Sequence, residues 1–202
     1  MNFDAVLFDI GNVLLDWDPR HLYLDTFDGD AAATERFLAE VLPMSWIVET
    51  DAGKPLAQAV AERIAAHPHE AERIALYESH WPKTVRGAIQ GSVEILAELK
   101  ARNTRLYALT NFSADTWPRA LARFEFLNWF ETAVVSGQLG VVKPDPRIYE
   151  AAIERCALDP ARTVFIDDRI ENLEAARAFG IHRLHFAGPA KLRADLAALG
   201  LL

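Results

Sequence analysis

Several reactive side chains in this sequence stand directly after apolar runs. Asp9 follows Ala5–Phe8, and Thr110 with Asn111 follows Leu106–Leu109. Lys143 lies in GVVKPDP, downstream of Ala133–Val135, and Asp167 with Asp168 follows Thr163–Ile166. A carboxylate set hard against four apolar residues is costly to bury without a compensating partner. Together the set offers a carboxylate nucleophile, a hydroxyl and amide pair, an ammonium and a further acidic pair. A carboxylate can attack phosphorus to form an aspartyl-phosphate, splitting one difficult displacement into two easier ones. Bringing two anions together needs a cation. Mg²⁺ takes oxygen ligands, commonly one or two carboxylates with water and substrate phosphate. Asp9, Asp167 and Asp168 supply such oxygens, with a backbone carbonyl near Gly11. Lys143 would add a fixed positive charge, and Thr110 with Asn111 could hold the transferring group.

The elements that must position these residues read as α/β. The apolar runs Ala5–Phe8, Leu106–Leu109, Ala133–Val135, Thr163–Ile166 and Arg183–Phe186 have the length and composition of buried strands. Helical spacing separates the later ones. Val93, Ile95, Leu96 and Leu99 follow Ser92; Pro146 opens a segment after Asp145; Leu173 to Phe179 stops at Gly180; and Pro189 opens the last helix. Such alternation implies a mostly parallel five-stranded sheet covered on both faces, where ligands bind beyond the carboxyl ends of the strands. From Pro19 to about Arg86 the pattern is helical throughout, which reads as a cap inserted after the first strand. We therefore expect residues 1–17 with 87–202 to form the core and 18–86 the cap, with hinges at Asp16–Pro19 and Pro82–Gly91.

Composition excludes several classes of function. The 202 residues carry a net charge of -8, a repulsive background for nucleic acid and for anionic membranes. The N-terminus has no basic stretch followed by a long apolar region, so neither a signal peptide nor a membrane span is expected, and the cytoplasm is the default. The single cysteine, Cys156, reads as a helix-face core residue. His67, His69, His80, His182 and His185 lack metal-ligand spacing.

The order and spacing of Asp9, Thr110, Lys143 and Asp167–Asp168 resemble the four signature motifs of the haloacid dehalogenase superfamily, and the helical insert is similar to that family's C1 cap. The likeness runs from Asp4 to Phe186. It implies a Rossmann-like core, Mg²⁺ as cofactor, Asp9 as nucleophile, Thr110 as phosphate ligand, Lys143 steadying both and Asp168 as metal ligand. Asp167 would act on the metal through water, and Asn172 would support the loop. The DxGNV form of the first motif resembles a subgroup that includes an α-glucose-1-phosphate phosphatase type.

One position departs from the pattern. Phosphatases of this superfamily usually carry a second Asp two residues after the nucleophile, where it protonates the leaving alkoxide; Gly11 stands there in this chain. Three readings follow. A haloacid dehalogenase needs no such acid, but it works without metal and has small neutral residues in place of the acidic pair. A phosphatase of small phosphorylated metabolites, sugar phosphates above all, could use a good leaving group, water, or a proton from Asp16, Asp18 or His21. A non-catalytic relative could bind a phosphorylated ligand or a protein. The phosphatase keeps the metal site meaningful and is the reading we carry forward. Asn12, Asn111, Trp17, Arg20, His21 and Trp46 are its substrate-contact candidates, and the molecule is expected to be a monomer or a homodimer. Taken singly, each site residue has a plainer role: Asp9 could cap a turn, Lys143 could be a surface charge, and Asp168 could cap the next helix.

Overall fold

The computed structural model describes residues 3–202. In chain order, β1 is Ala5–Phe8, β2 Leu15–Trp17, α1 Arg20–Tyr23, α2 Ala31–Glu40, α3 Met44–Asp51, α4 Leu56–Ala66 and α5 Ala71–Ser79. The chain continues through β3 (Val85–Ala88), α6 (Gln90–Ala101), β4 (Arg105–Thr110), α7 (Trp117–Arg123), β5 (Thr132–Val135), α8 (Ser136–Leu139) and α9 (Pro146–Arg155). It ends with β6 (Thr163–Asp167), α10 (Ile170–Arg177), β7 (His182–His185) and α11 (Pro189–Ala198).

The sheet has five parallel strands in the order β5-β4-β1-β6-β7. Alternation along β1 divides the core between its two faces, as a period of two requires. Ala5 and Leu7 pack with Tyr107, Leu109 and Phe165, whereas Val6 and Phe8 pack with Leu106, Ala108, Val164 and Ile166. In register, Phe8 lies beside Ala108 and Ile166. Asp9, Thr110 and Asp167 therefore emerge together at the carboxyl edge of the three central strands. Helix signals also behave as expected where a cap is present. Asp145 closes the first turn of α9 by accepting the Arg147 N–H at 3.0 Å, and Gly180 takes a left-handed φ of 79° just past α10.

The structure corrects two expectations about element limits. The expected hinges are in part strand: β2 and β3 form an antiparallel ribbon, with Leu15 opposite Ala88 and Asp16 opposite Gly87. Strands of three and four residues are too short to show a period. Helix α6 starts two residues before Ser92, which is buried inside it with its hydroxyl unpartnered.

Between β2 and β3 the chain is helical, and its apolar positions Phe37, Leu42, Trp46, Ile47, Leu56, Ile74 and Tyr77 join the core that lies under one face of the sheet. The turn from α3 to α4 is tied to the strand ends. Ser136 Oγ donates to the Asp51 carbonyl at 2.6 Å, and Asp115 Oδ2 accepts the Leu56 N–H at 2.7 Å. Gly53, at φ 99°, approaches so closely that an added Cβ would lie 3.1 Å from the Gly137 carbonyl. Among the described residues no helix is long and apolar enough to cross a membrane.

Candidate active site

Lys143 is the hub of the strand-end cluster. Its ammonium lies 2.8 Å from Asp9 Oδ1, 2.7 Å from Asp167 Oδ2 and 3.0 Å from the Leu109 carbonyl. The side chain is only 1 % exposed, so the surface-charge role is ruled out for it. Its loop is fixed from β4. Asn111 Oδ1 accepts the Lys143 N–H at 2.7 Å, and Asn111 Nδ2 donates to the Lys143 carbonyl at 3.0 Å. Asp167 is held as firmly. Asn172 Nδ2 donates to both its carboxylate oxygens, at 3.0 and 3.1 Å, and the Arg169 N–H donates to Oδ1 at 2.8 Å. It is thus Asp167, not Asp168, that meets the backbone at the start of α10. Asp9 accepts the N–H of Ile10 at 2.7 Å.

The charges do not balance. Asp9, Asp167 and Asp168 bring oxygens within 4.8 Å of one another, and one ammonium faces them. Burial pushes the Asp9 carboxyl up to about 7; Lys143 pulls it back while Asp167 and Asp168 add to the rise. Burial likewise raises Asp168, with Asp167 contributing. Burial works against the charge of Lys143, but Asp9 and Asp167 outweigh it and hold the ammonium charged. Three hard oxygen donors around too little positive charge suit a divalent cation such as Mg²⁺. A second sign of ligand chemistry is the Thr110 hydroxyl, buried at the end of β4 with no hydrogen-bond partner. Buried polar atoms are normally paired; Thr110 is not itself among the residues lining the cavity, but it stands directly before Asn111, which is.

Above this floor is a cavity of about 350 Å³, in the range of small-molecule sites. Its walls include Asp9, Asn12, Asn111, Lys143 and Asp168 from the core and Trp17 from the ribbon. From the helical segment come Met44, Ile47, Val48, Leu56, Tyr77 and Trp81. The sequence-expected contacts therefore separate into two groups. Asn12, Trp17 and Asn111 line the cavity, although both polar ends of Asn111 are engaged by Lys143. Asn12 sits at φ 55° with Oδ1 accepting the Trp17 N–H at 3.2 Å.

Arg20, His21 and Trp46 are not among the lining residues. Arg20 pairs with Glu35 and Asp18. His21 meets Asp16 at 3.0 Å and also Arg86. Trp46 is buried, donating to the Ala59 carbonyl at 3.2 Å. These partners also occupy Asp16 and Asp18. One functional group in the wall has no sequence motif to announce it: Asp51, the last residue of α3. Its carboxyl is pushed up to about 7 by burial, against a hydrogen bond from the Ser113 N–H, with the Asp9 charge adding to the rise. A carboxylate just before a Gly turn (DAG) was the available signal. Cys156, by contrast, is buried away from the cavity with its thiol pushed up to about 11 by desolvation, as a structural cysteine should be.

Known proteins share this architecture. A sesquiterpene phosphatase of Aspergillus oryzae is 25% identical over 91% of this chain and 89% of its own. A phosphorylated carbohydrates phosphatase of Thermotoga maritima is 26% identical over 90% of this chain and 84% of its own. The crystal structure of a HAD family enzyme from Bacteroides thetaiotaomicron, in complex with magnesium and inorganic phosphate, matches with a TM-score of 0.72. It is 22% identical and covers 93% of this chain and 96% of its own. Residues 3–180 match the haloacid dehalogenase-like hydrolases, and with that match added to the strand-end cluster, the chain belongs to that family.

Proposed function

We propose that this protein is a magnesium-dependent phosphatase of small phosphomonoesters that works through an aspartyl-phosphate on Asp9. The observation that carries the reading is the cluster of three carboxylates around a single ammonium. Mg²⁺ held by Asp9, Asp168 and the Gly11 carbonyl, with Asp167 behind them, would neutralise the phosphate as it meets the carboxylates. The chain's own residues supply the rest. Asp9 attacks phosphorus, the Thr110 hydroxyl and the Lys143 ammonium hold the transferring oxygens, and water then attacks the aspartyl-phosphate to release inorganic phosphate. Asn111 acts by keeping Lys143 in place. Residues 18–86 serve as a C1 cap that shields the reaction from bulk water. A dehalogenase would bring an anionic substrate to the same three carboxylates without a neutralising metal, which their mutual repulsion disfavours.

The cap wall narrows the substrate. Met44, Ile47, Val48, Leu56, Trp81 and Val85 offer a hydrocarbon surface and few hydrogen-bond partners for a pyranose. An alcohol with an apolar body suits this wall better than the sugar expected from the first motif; the relatives include both a sesquiterpene phosphatase and a phosphorylated carbohydrates phosphatase, so the choice rests on the wall. An activity panel with and without Mg²⁺ tests both levels. It compares p-nitrophenyl phosphate, a prenyl monophosphate, glucose 1-phosphate, and 2-chloropropionate with halide detection. Mg²⁺-dependent phosphate release, fastest from an apolar ester, is expected. Metal-independent halide release without phosphate release would overturn the reading.

A further inference from the structure

Gly11 removes the acid that this family's phosphatases usually place two residues after the nucleophile, and the helical segment puts a carboxyl on the wall of the same cavity. Asp51 lines that cavity together with Asp9 and Lys143. Its position is built. Ser136 Oγ holds its carbonyl at 2.6 Å, and Asp115 holds the next helix at Leu56. The close approach of Gly53 to Gly137 sets the height of the turn. The charged and titratable groups around it are the Asp9 carboxylate across the cavity and the Tyr77 phenol on α5, which is itself held neutral by burial. Asp16, Asp18 and His21, the other proton donors in the neighbourhood of the ribbon, are engaged elsewhere.

The geometry points to Asp51 as the catalytic acid and base of this enzyme, delivered by the cap in place of the missing core carboxyl. The inference rests on the phosphatase reading. In the first step an Asp9 oxygen forms a bond to phosphorus, the ester P–O bond breaks, and the Asp51 carboxyl gives its proton to the departing oxygen, releasing a neutral alcohol. In the second step water attacks phosphorus and loses a proton to the Asp51 carboxylate. The Asp9–phosphorus bond breaks, and phosphate leaves with Asp51 restored to its acid form. A carboxyl titrating near neutrality is suited to both duties.

The experiment compares rapid-mixing kinetics of wild-type protein and Asp51→Asn, both with Mg²⁺, on p-nitrophenyl phosphate and phenethyl phosphate. The two esters are similar in size, but only the second has a strongly basic leaving oxygen. Loss of a general acid lowers the first step on phenethyl phosphate by about 10²–10⁴-fold. The p-nitrophenol burst should keep its rate within a few-fold while later turnover slows for want of the base. Asp51→Ser should show the same split. Gly11→Asp added to Asp51→Asn should recover phenethyl phosphate hydrolysis, since a Cβ at Gly11 meets nothing within 4 Å. Equal losses on both esters, no loss on phenethyl phosphate, or a selective loss that Gly11→Asp leaves unrepaired would each overturn the assignment. Wild-type protein that releases phosphate from neither ester overturns the phosphatase reading and this one with it. An active wild type beside an unchanged Asp51→Asn overturns this one alone.

Discussion

Among the described residues two buried hydroxyls lack partners, Ser92 in α6 and Thr110 at the end of β4, and their settings give them opposite consequences. Ser92 lies inside a helix against the core, so its oxygen is desolvated with no return. Ser92→Ala should raise stability by roughly 1 kcal/mol, read from urea unfolding. Thr110 ends a central strand beside the cavity-lining Asn111, and in the proposed function its hydroxyl would meet the phosphate. Thr110→Val should leave stability unchanged or higher and yet lower kcat/KM for phosphomonoesters, and a fall in both would mean that the hydroxyl serves the fold. Lys143 is the reverse case. Removing it leaves buried carboxylates uncompensated, and loss of one partner of a buried pair costs about 3–5 kcal/mol. Lys143→Met should therefore unfold much more readily at pH 8, and less so at pH 5, where the raised Asp9 carboxyl takes up a proton. Asp51 has its own pH signature. Its folded pKa is about 7 against 3.8 for the ordinary group. The stability tied to its neutral form is complete below about pH 4 and is lost as pH rises through 7. The melting temperature of wild type minus that of Asp51→Asn should accordingly fall between pH 5 and pH 8; a flat or rising difference would contradict the shift.

At the scale of elements, Gly137 is the tightest joint. A Cβ there would lie 2.4 Å from the Ala114 nitrogen and 2.8 Å from the Phe112 carbonyl. Gly137→Ala should destabilise by about 1–3 kcal/mol, as overpacking does, and should slow turnover by displacing α8 and the carbonyl that Ser136 holds. Turn chemistry of this kind was hidden in the sequence, since Gly53 and Gly137 are distant in the chain. The three central strands β1, β4 and β6 were legible because each is an apolar run buried along almost its whole length, and their polar ends carried the cluster with them. The ribbon of β2 and β3 was not, because three residues such as Leu15–Trp17 cannot display alternation. Arg20, His21 and Trp46 show a different limit. Nearness to the hinge for Arg20 and His21, and a place in the cap for Trp46, suggested substrate contact, but side-chain direction is decided by partners. Glu35, Asp16 and the Ala59 carbonyl claimed them. Asp51 went unread for the complementary reason: an acidic residue at a helix end is ordinary until the fold places it in one cavity with Asp9.

For the whole molecule, the proposed function divides the cavity wall: the core would present the phosphate-handling groups and the helical segment what faces the alcohol. Met44, Ile47 or Val48, and Asp51 recur at helical spacing along α3, so one face of a single helix carries both apolar wall and acid. Inserting one residue into α3 before Asp51 would turn that face by about 100°, and activity on apolar esters should be lost even if the core still melts cooperatively. The staples between the α3–α4 turn and the strand ends also bear on selectivity. Ser136, Asp115 and Gly137 tie the α3–α4 turn to the strand ends, and on the proposed mechanism they would fix the distance from Asp51 to the phosphate. The ester oxygen is always one bond from phosphorus, so the proton is delivered to the same point whatever the alcohol. Such an arrangement gauges the bond rather than the molecule attached to it. It permits a promiscuous catalyst, in which different alcohols that fit the wall bind with unequal affinity but are released at similar rates once bound.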